Sequence, residues 1–398
     1  MRILQVCSKP PNPASDGGAM AMNVLTHGLI ELGVEVNVLT MSTHKHLFNP
    51  DKISEAYKQK TKIESVFVDT RIKPHKAFLN LFSSSSYNIS RFYSTEFENK
   101  LISILQKTNY DIIQLETLFT TPYINCIKKH SKAKIVLRSH NIEYKIWKRL
   151  ASSTTNPIKR AYLRLLANRI NKYEISILNE YDAVAAITSD DAKEMKELGS
   201  TKPIITIPFG INTTIFNKNE NTQEEFPSLF HLGAMNWRPN EAGVKWFLEN
   251  VWETIHKKHP HLKFYLAGRY MPAWLKNLKK ENLVIIGEVD DALKFISSKG
   301  IMIVPLLSGG GMRVKIIEGM AARKTIISTS IGAEGIPYEN GKHILIADTP
   351  DEFVKSIDTC LQDVSLYKTI GRNAQKLVED HFDNKKICSS LLEFYKKL

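Results

Sequence analysis

Residues 301–318 read Ile-Met-Ile-Val-Pro-Leu-Leu-Ser-Gly-Gly-Gly-Met-Arg-Val-Lys-Ile-Ile-Glu. The first seven form a nearly unbroken apolar run, the pattern of a strand covered on both faces by helices. A helical run begins just behind the glycines. Strand, glycine turn and helix are the repeating unit of a doubly wound α/β fold, which binds ligands at the carboxyl ends of its strands. Gly309, Gly310 and Gly311, with Met312, leave a nest of unshielded backbone N–H groups. Arg313 and Lys315 fall in the first turn of the helix, where the dipole disfavours cations. An external anion offsets that cost, and a diphosphate does so through charge-assisted hydrogen bonds. Glu318 follows Lys315 by three residues and shares its helix face; a carboxylate accepting two hydroxyl hydrogen bonds suits a ribose. A solvated Lys315–Glu318 ion pair, worth at most roughly 0.5 kcal/mol, is the plainer reading, and it leaves the three glycines unexplained.

The same rhythm runs outward in both directions. Strands are predicted at Arg2–Cys7, Val34–Thr40, Ile63–Val68, Asp111–Leu115, Lys134–Arg138, Asp182–Thr188 and Ile204–Pro208. A second series follows at Leu229–Gly233, Lys263–Ala267, Leu283–Ile286, Ile301–Pro305, Thr325–Ser328 and His343–Ile346. Helical spacing is predicted over Gly18–Leu32, Asn240–His256 and Asp351–Leu361. The polar stretch Ile211–Phe226 interrupts the pattern. The division expected is a Rossmann-like domain over 1–210, a second over 211–380, and a helix over 381–398 that packs back on the first.

Composition bounds the rest. A chain of 398 residues with 43% hydrophobic and 24% charged residues is ordinary for a globular protein of two domains. Cys7, Cys126, Cys360 and Cys388 form no CxxC pair, which argues against a zinc ribbon and suits a reducing compartment. Apolar runs are too short to cross a bilayer, and Lys9 and Pro10 break the N-terminal one, so a soluble, cytoplasmic protein is expected. The net charge of +13 is uneven: residues 1–210 hold 29 Lys+Arg against 19 Asp+Glu, and residues 211–398 hold 25 against 22. Residues 128–172 hold 13 basic residues and one acid, Glu143. That surplus points to an anionic partner of the first half.

Three further segments carry candidate chemistry. Gly17-Gly18 follows the first strand and opens a helix, serving either an anion at the helix N-terminus or a tight turn. Arg138-Ser139-His140-Asn141-Ile142-Glu143 ends a strand; His140 either orients a sugar hydroxyl and meets developing charge, or caps and packs. Trp147, Ile158, Tyr162, Leu165, Leu166 and Ile170 interleave with cations, the mark of a helix on an anionic membrane or of a solvated basic face. Asp190-Asp191 and Asp290-Asp291 read as helix-start caps rather than metal ligands. No GxGxxG follows the first strand and no GxxxxGK[ST] occurs, which disfavours ordinary NAD and P-loop readings. No RNA-binding aromatic motif or helix-turn-helix is present, so nucleic acid is not expected as a partner.

Taken together, the Gly17-Gly18 loop, residues 138–143, Pro208-Phe-Gly-Ile-Asn212 with Phe216, Gly233-Ala-Met-Asn-Trp-Arg-Pro-Asn240, Pro305–Ala321 and Ser328–Gly335 resemble family 4 retaining glycosyltransferases of the GT-B fold. The resemblance covers nearly the whole chain and is weakest over 42–100. It implies two Rossmann-like domains facing a central cleft, with closure about the linker near Gly210. It also implies a UDP- or GDP-linked sugar donor in the second domain and a lipid-linked or saccharide acceptor in the first, with no metal and no cofactor. Glu318 matches the second glutamate of the family's Glu-x7-Glu motif, which holds the donor ribose; the first is replaced by Gly310. Arg238 and Lys245 are the nearest matches to the residues that grip the diphosphate, a task Arg313 and Lys315 also suit, alongside Gly17 and Gly18. His140 matches the histidine facing the transferred sugar, so His140, Lys315 and Glu318 are the catalytic candidates. In such transfers the departing phosphate helps deprotonate the acceptor, and the protein supplies positioning and cationic stabilisation. The role implied is cell-surface polysaccharide biosynthesis, with peripheral membrane contact through 128–172. Alternatives are a GT-B-fold sugar-nucleotide epimerase, a phosphorylase, or a non-enzymatic binder of anionic lipid.

Overall fold

The computed structural model describes the chain except residues 15, 74, 76–79, 81, 82, 84, 218–222, 310 and 311. Two compact units result, one from residues 1–210 with 384–398 and the other from residues 211–383.

Unit 1 contains β1 (Arg2–Cys7), β2 (Glu35–Ser42), β3 (Glu64–Phe67), β4 (Ile112–Glu116), β5 (Lys134–Ser139), β6 (Ala183–Ala186) and β7 (Ile204–Thr206). They form one parallel sheet in the order β3-β2-β1-β4-β5-β6-β7. Alternate residues of β1 explain its continuous apolar sequence: Leu4 and Val6 enter one core layer, Ile3 and Cys7 the other. The first helix, α1 (Gly17–Glu31), lies on the second of these layers. Two long helices, α2 (Glu143–Ser153) and α3 (Pro157–Ile177), follow β5 and pack along one another.

Unit 2 contains β8 (Glu225–Leu232), β9 (Lys263–Ala267), β10 (Leu283–Gly287), β11 (Lys299–Val304), β12 (Ile326–Ser328) and β13 (Leu345–Ile346). The sheet is again parallel, ordered β10-β9-β8-β11-β12-β13. Its site-bearing helices are α4 (Arg238–Asn250) and α5 (Val314–Ala321). Leu229, Phe247, Trp252, Phe264, Ile303 and Phe353 anchor its core. The chain then returns to unit 1 with α6 (Asn384–Lys396), whose Ile387, Cys388 and Leu391 join Leu25 and Leu29 of α1. Gly28 makes this packing close, because a Cβ there would lie 2.4 Å from the Cys388 sulfur. Asn384 adds a hydrogen bond from Nδ2 to the Val24 carbonyl, 3.0 Å.

Three sequence expectations need local correction. Asn240–His256 is not one helix: α4 ends at Asn250 and a second helix runs Trp252–Lys258, with Val251 between them. The strand expected up to Pro305 ends at Val304, and Pro305 begins the following loop. The helix Ser189–Glu197 is capped by Thr188, whose hydroxyl accepts the Asp191 N–H at 3.0 Å, so Asp190 and Asp191 lie in its first turn rather than at its cap. Asp291 is the N-cap of Ala292–Ser298, accepting the Lys294 N–H at 3.0 Å.

Candidate active site

In each sheet the strand order reverses once, between β1 and β4 in unit 1 and between β8 and β11 in unit 2. Ligands of doubly wound folds bind at such switch points, outside the carboxyl ends of the strands. Gly17 and Gly18 follow β1, Arg238 follows β8, and Gly309, Arg313, Lys315 and Glu318 follow β11, whereas His140 follows β5 and Lys245 lies farther along α4.

In unit 2, bare backbone lets neighbouring segments approach closely. A Cβ on Gly243 would stand 2.3 Å from the Pro305 carbonyl oxygen, so α4 lies against the loop that leaves β11. Gly268, with φ of +144°, faces the Gly233 carbonyl so tightly that a Cβ would be 1.8 Å from its oxygen. Thr329 ties the loop to the end of β12: its hydroxyl donates to the Leu306 carbonyl at 2.5 Å, and its oxygen accepts the Gly332 N–H at 3.0 Å.

The glycine-rich loop then reaches Gly309 with φ of +130°, a backbone state that excludes most side chains. A Cβ there would sit 2.8 Å from Arg313 Nη2 and 3.3 Å from the Trp237 ring. Arg313 is the N-cap of α5 and is largely buried, its guanidinium carbon 5.4 Å from the centre of the Trp237 ring. Residues 233–240 and 305–318 therefore meet through a stacked cation and indole. Lys315 is in the first turn of α5 and pairs with Glu318 at 2.6 Å; the lysine side chain is 42% exposed and the glutamate 13%. Arg238 is exposed at the start of α4, next to Trp237. Lys245 faces outward and pairs with Glu249 at 3.8 Å. Met312 is half-buried ahead of Arg313. Gly310 and Gly311 lie outside the described residues.

In unit 1, Gly17 and Gly18 occupy the first turn of α1, which Asp16 already caps by accepting the Ala19 N–H at 2.9 Å. Lys9 bridges both Asp16 oxygens at 2.6 and 2.7 Å and lies over Gly18. Burial opposes charge on Asp16, but Lys9 and the capping N–H outweigh it and hold its carboxyl below the usual range. A Cβ on Gly17 would meet none of the described residues beyond its own helix within 4 Å. Ser8, after β1, and Thr117, after β4, hold their hydroxyls 3.1 Å apart across the switch point.

His140 follows β5, and its Nε2 is 2.6 Å from Oε2 of Glu116, the last residue of β4. Glu116 is fully buried. Burial pushes its pKa up, yet the bond and charge of His140, with Arg138 and Gln5, more than reverse that push, so the carboxyl is held low. Arg138 is paired across the sheet with Glu116, its Nε 3.7 Å from Oε2. Glu143, at the head of α2, is a buried acid pushed up to about 8 by burial first and then by Glu174. Glu174, on α3, accepts the N–H groups of Glu143 and Tyr144, both at 2.9 Å, and so caps α2 from outside it.

The basic segment is partly neutralised within unit 1. Lys128 pairs with Glu180 at 2.6 Å, Lys134 with Asp182 at 3.7 Å, and Lys145 with Glu194. Arg169 keeps its charge but donates to the carbonyl and side-chain oxygens of Asn80 at 2.7 and 2.8 Å. Exposed apolar side chains remain on α2 and α3: Ile146, Leu150, Ile158 and Tyr162, with Ile158 82% exposed, beside Lys148, Lys159 and Arg164. No helix among the described residues is long and apolar enough to cross a membrane.

Sequence reasoning missed Glu116, Gln5, Gln114 and Glu174, and it quoted Trp237 in a motif without foreseeing its contact with Arg313. The first three carried a signal: a polar side chain inside an apolar strand needs a buried partner, and β1 and β4 read Arg-Ile-Leu-Gln-Val-Cys and Ile-Ile-Gln-Leu-Glu.

Residues 15–215 match a family model described as Glycosyltransferase Family 4, and residues 226–363 match one described as Glycosyl transferases group 1. An uncharacterised 44.6 kDa protein in the cps region of Klebsiella pneumoniae is 24% identical over 98% of this chain and 99% of its own. The capsular polysaccharide biosynthesis glycosyltransferase CapM of Staphylococcus aureus is 25% identical over 52% of this chain and 57% of that protein. Anabaena HepE, crystallised with UDP, superimposes with a TM-score of 0.65 at 14% identity, covering all of both chains. The architecture of two parallel-sheet Rossmann-like units is that of GT-B glycosyltransferases.

Proposed function

The chain belongs to glycosyltransferase family 4, and on that premise we propose that it moves a sugar from a nucleotide-diphospho-sugar to a saccharide or lipid-linked acceptor, with retention of anomeric configuration. The polysaccharide context of its relatives supports a place in building cell-surface polysaccharide. One observation carries the donor assignment: Gly309, at φ of +130°, is pressed against the Trp237–Arg313 pair at the head of α5. Its missing side chain keeps the loop close to a buried guanidinium, an arrangement suited to a diphosphate.

In this reading Arg313, Lys315 and the N–H groups of the loop hold the diphosphate, including Gly309 and Met312 and extending to Gly310 and Gly311. Arg238 adds a second cation, and Gly17 and Gly18 offer N–H groups at the head of α1. Glu318 exchanges its bond to Lys315 for the ribose hydroxyls. The bond from the anomeric carbon to the diphosphate breaks and the acceptor oxygen bonds the same face, its proton passing to the departing phosphate oxygen. Cations facing that phosphate lower the barrier; loss of one such donor typically costs about 3–4 kcal/mol. His140 meets a hydroxyl of the transferred sugar. The donor base is uracil or guanine. In this reading, as the family resemblance implies, the transfer uses no metal and no cofactor.

Ile146, Leu150, Ile158 and Tyr162 among cations support peripheral contact of α2 and α3 with anionic lipid at the inner face of the cytoplasmic membrane. Flotation with phosphatidylglycerol vesicles tests that contact: co-flotation lost on Ile158→Asp and at high salt supports it, and no co-flotation at low salt removes it. The transfer is tested by incubating the protein with UDP-glucose, UDP-N-acetylglucosamine and GDP-mannose, each with and without lipid extract. Acceptor-dependent nucleotide release with an axial product linkage from an axial donor is expected. Turnover of the donor without acceptor to an epimeric sugar nucleotide would overturn the reading.

A further inference from the structure

The carboxylate of Glu116 is surrounded by donors. Oε1 accepts from the side-chain amides of Gln5, at 2.7 Å, and of Gln114. Hydroxyls orient those amides: Thr26 Oγ1 is 2.6 Å from Gln5 Oε1, and the Tyr395 hydroxyl donates to Gln114 Oε1 at 2.5 Å. Oε2 faces Arg138, itself 1% exposed, and the His140 ring. A buried guanidinium needs an anion beside it, and the side chains around the carboxyl, Gln5, Gln114, Arg138 and His140, turn nitrogens toward it. Glu116 is therefore ionised and can only accept. It follows that Nε2 of His140 carries a hydrogen and donates it.

Nδ1 of His140 has no protein partner among the described residues, and the side chain is 8% exposed. We propose that Glu116 is a positioning residue: it fixes His140 as the Nε2–H form and so makes Nδ1 the ring atom that meets the sugar hydroxyl. Tyr395 extends this support to α6, because its hydroxyl orients the Gln114 amide that in turn holds Glu116. The imidazole orientation thus rests on β1, β4, β5, α1 and α6 together, which leaves His140 little freedom to turn.

The proposal rests on His140 touching the sugar, and its test separates the two ideas. Long-range ¹H–¹⁵N spectra of the whole protein, with the His140 signals assigned by their loss in His140→Gln, read the ring form directly. The Nε2–H pattern is expected in the wild type and a mixed or Nδ1–H pattern in Glu116→Gln. A wild-type Nδ1–H pattern overturns the positioning role whatever the activity. Acceptor-dependent nucleotide release from UDP-glucose, UDP-N-acetylglucosamine and GDP-mannose, each presented separately with lipid extract, supplies the second readout. Glu116→Gln should lower kcat about 10- to 100-fold with little change in donor KM, and Glu116→Asp should restore part of the loss together with the Nε2–H signal. A Glu116→Gln protein that loses the Nε2–H signal yet keeps full kcat overturns the proposal. Unchanged kcat in His140→Ala would instead remove the contact between His140 and the sugar, and the functional role of Glu116 with it.

Discussion

The guanidinium of Arg313 stands over the indole of Trp237, 5.4 Å from ring centre to guanidinium carbon, and Gly309 closes the third side of that contact. The turn after β8 and the loop after β11 are thereby joined at the point where the strand order of unit 2 reverses. If the proposed diphosphate binds at Arg313, a cation already held in place lowers the ordering cost of that binding.

Gly309→Val should impair this contact with little effect on the fold. A β-branched side chain at φ of +130° is strained by about 1–3 kcal/mol, and its Cβ meets the Arg313 guanidinium. UDP or GDP affinity should fall tenfold or more by calorimetry, while the far-UV circular dichroism spectrum stays unchanged. Undiminished affinity would detach Gly309 from the donor site.

Arg313→Lys keeps the charge but loses the planar stack and the paired N–H donors. Nucleotide affinity should weaken by about 1–3 kcal/mol, and Arg313→Ala should weaken it further. Equal affinities for the wild type and Arg313→Lys would reduce this residue to a point charge.

Two glycines with positive φ make a paired stability test. Gly268→Ala drives a Cβ into the Gly233 carbonyl, whereas Gly341→Ala, at φ of +80°, meets nothing within 4 Å. Urea unfolding should show the second costing about 1 kcal/mol and the first several times more. Comparable losses would mean that backbone strain alone, and not the close approach of β8 and β9, sets the cost.

Stability of unit 1 should respond to pH through Glu143. Its pKa, raised to about 8 by burial and then by Glu174, lies above the ordinary carboxylate value. The folded state therefore binds a proton that the unfolded state releases. The Glu143 contribution is fully present below the unfolded pKa and is lost as pH rises through the folded one. The loss is on the order of 4 kcal/mol across that window. Glu143→Gln should flatten the slope in denaturant titrations between pH 5 and 8; an unchanged slope would assign the proton elsewhere.

The sequence made the strands legible because most are buried on both faces, so Val, Ile and Leu run without interruption. Lys263–Ala267 coincides with β9 to the residue, and Arg2–Cys7 with β1. Residues 301–318 displayed their strand, turn and helix for the same reason. What stayed hidden depends on long-range partners. Glu174 caps α2 from 31 residues away, and no local pattern announces that. Glu116 lies one residue past the expected strand Asp111–Leu115, and its surroundings become visible only when Gln5, Gln114, Arg138 and His140 are brought around it. Val251 breaks a helical period that the spacing alone carries straight through. The basic residues of 128–172 counted together as one field, yet Lys128, Lys134, Lys145 and Arg169 meet partners within unit 1.

Calorimetric titration of the wild type and of Lys315→Ala with Glu318→Ala against UDP and GDP bears most directly on the donor site at the head of α5. Saturable binding of one nucleotide to the wild type, weakened at least tenfold in the double variant, is the result predicted. No binding of either nucleotide to the wild type, or equal binding by both proteins, would contradict it.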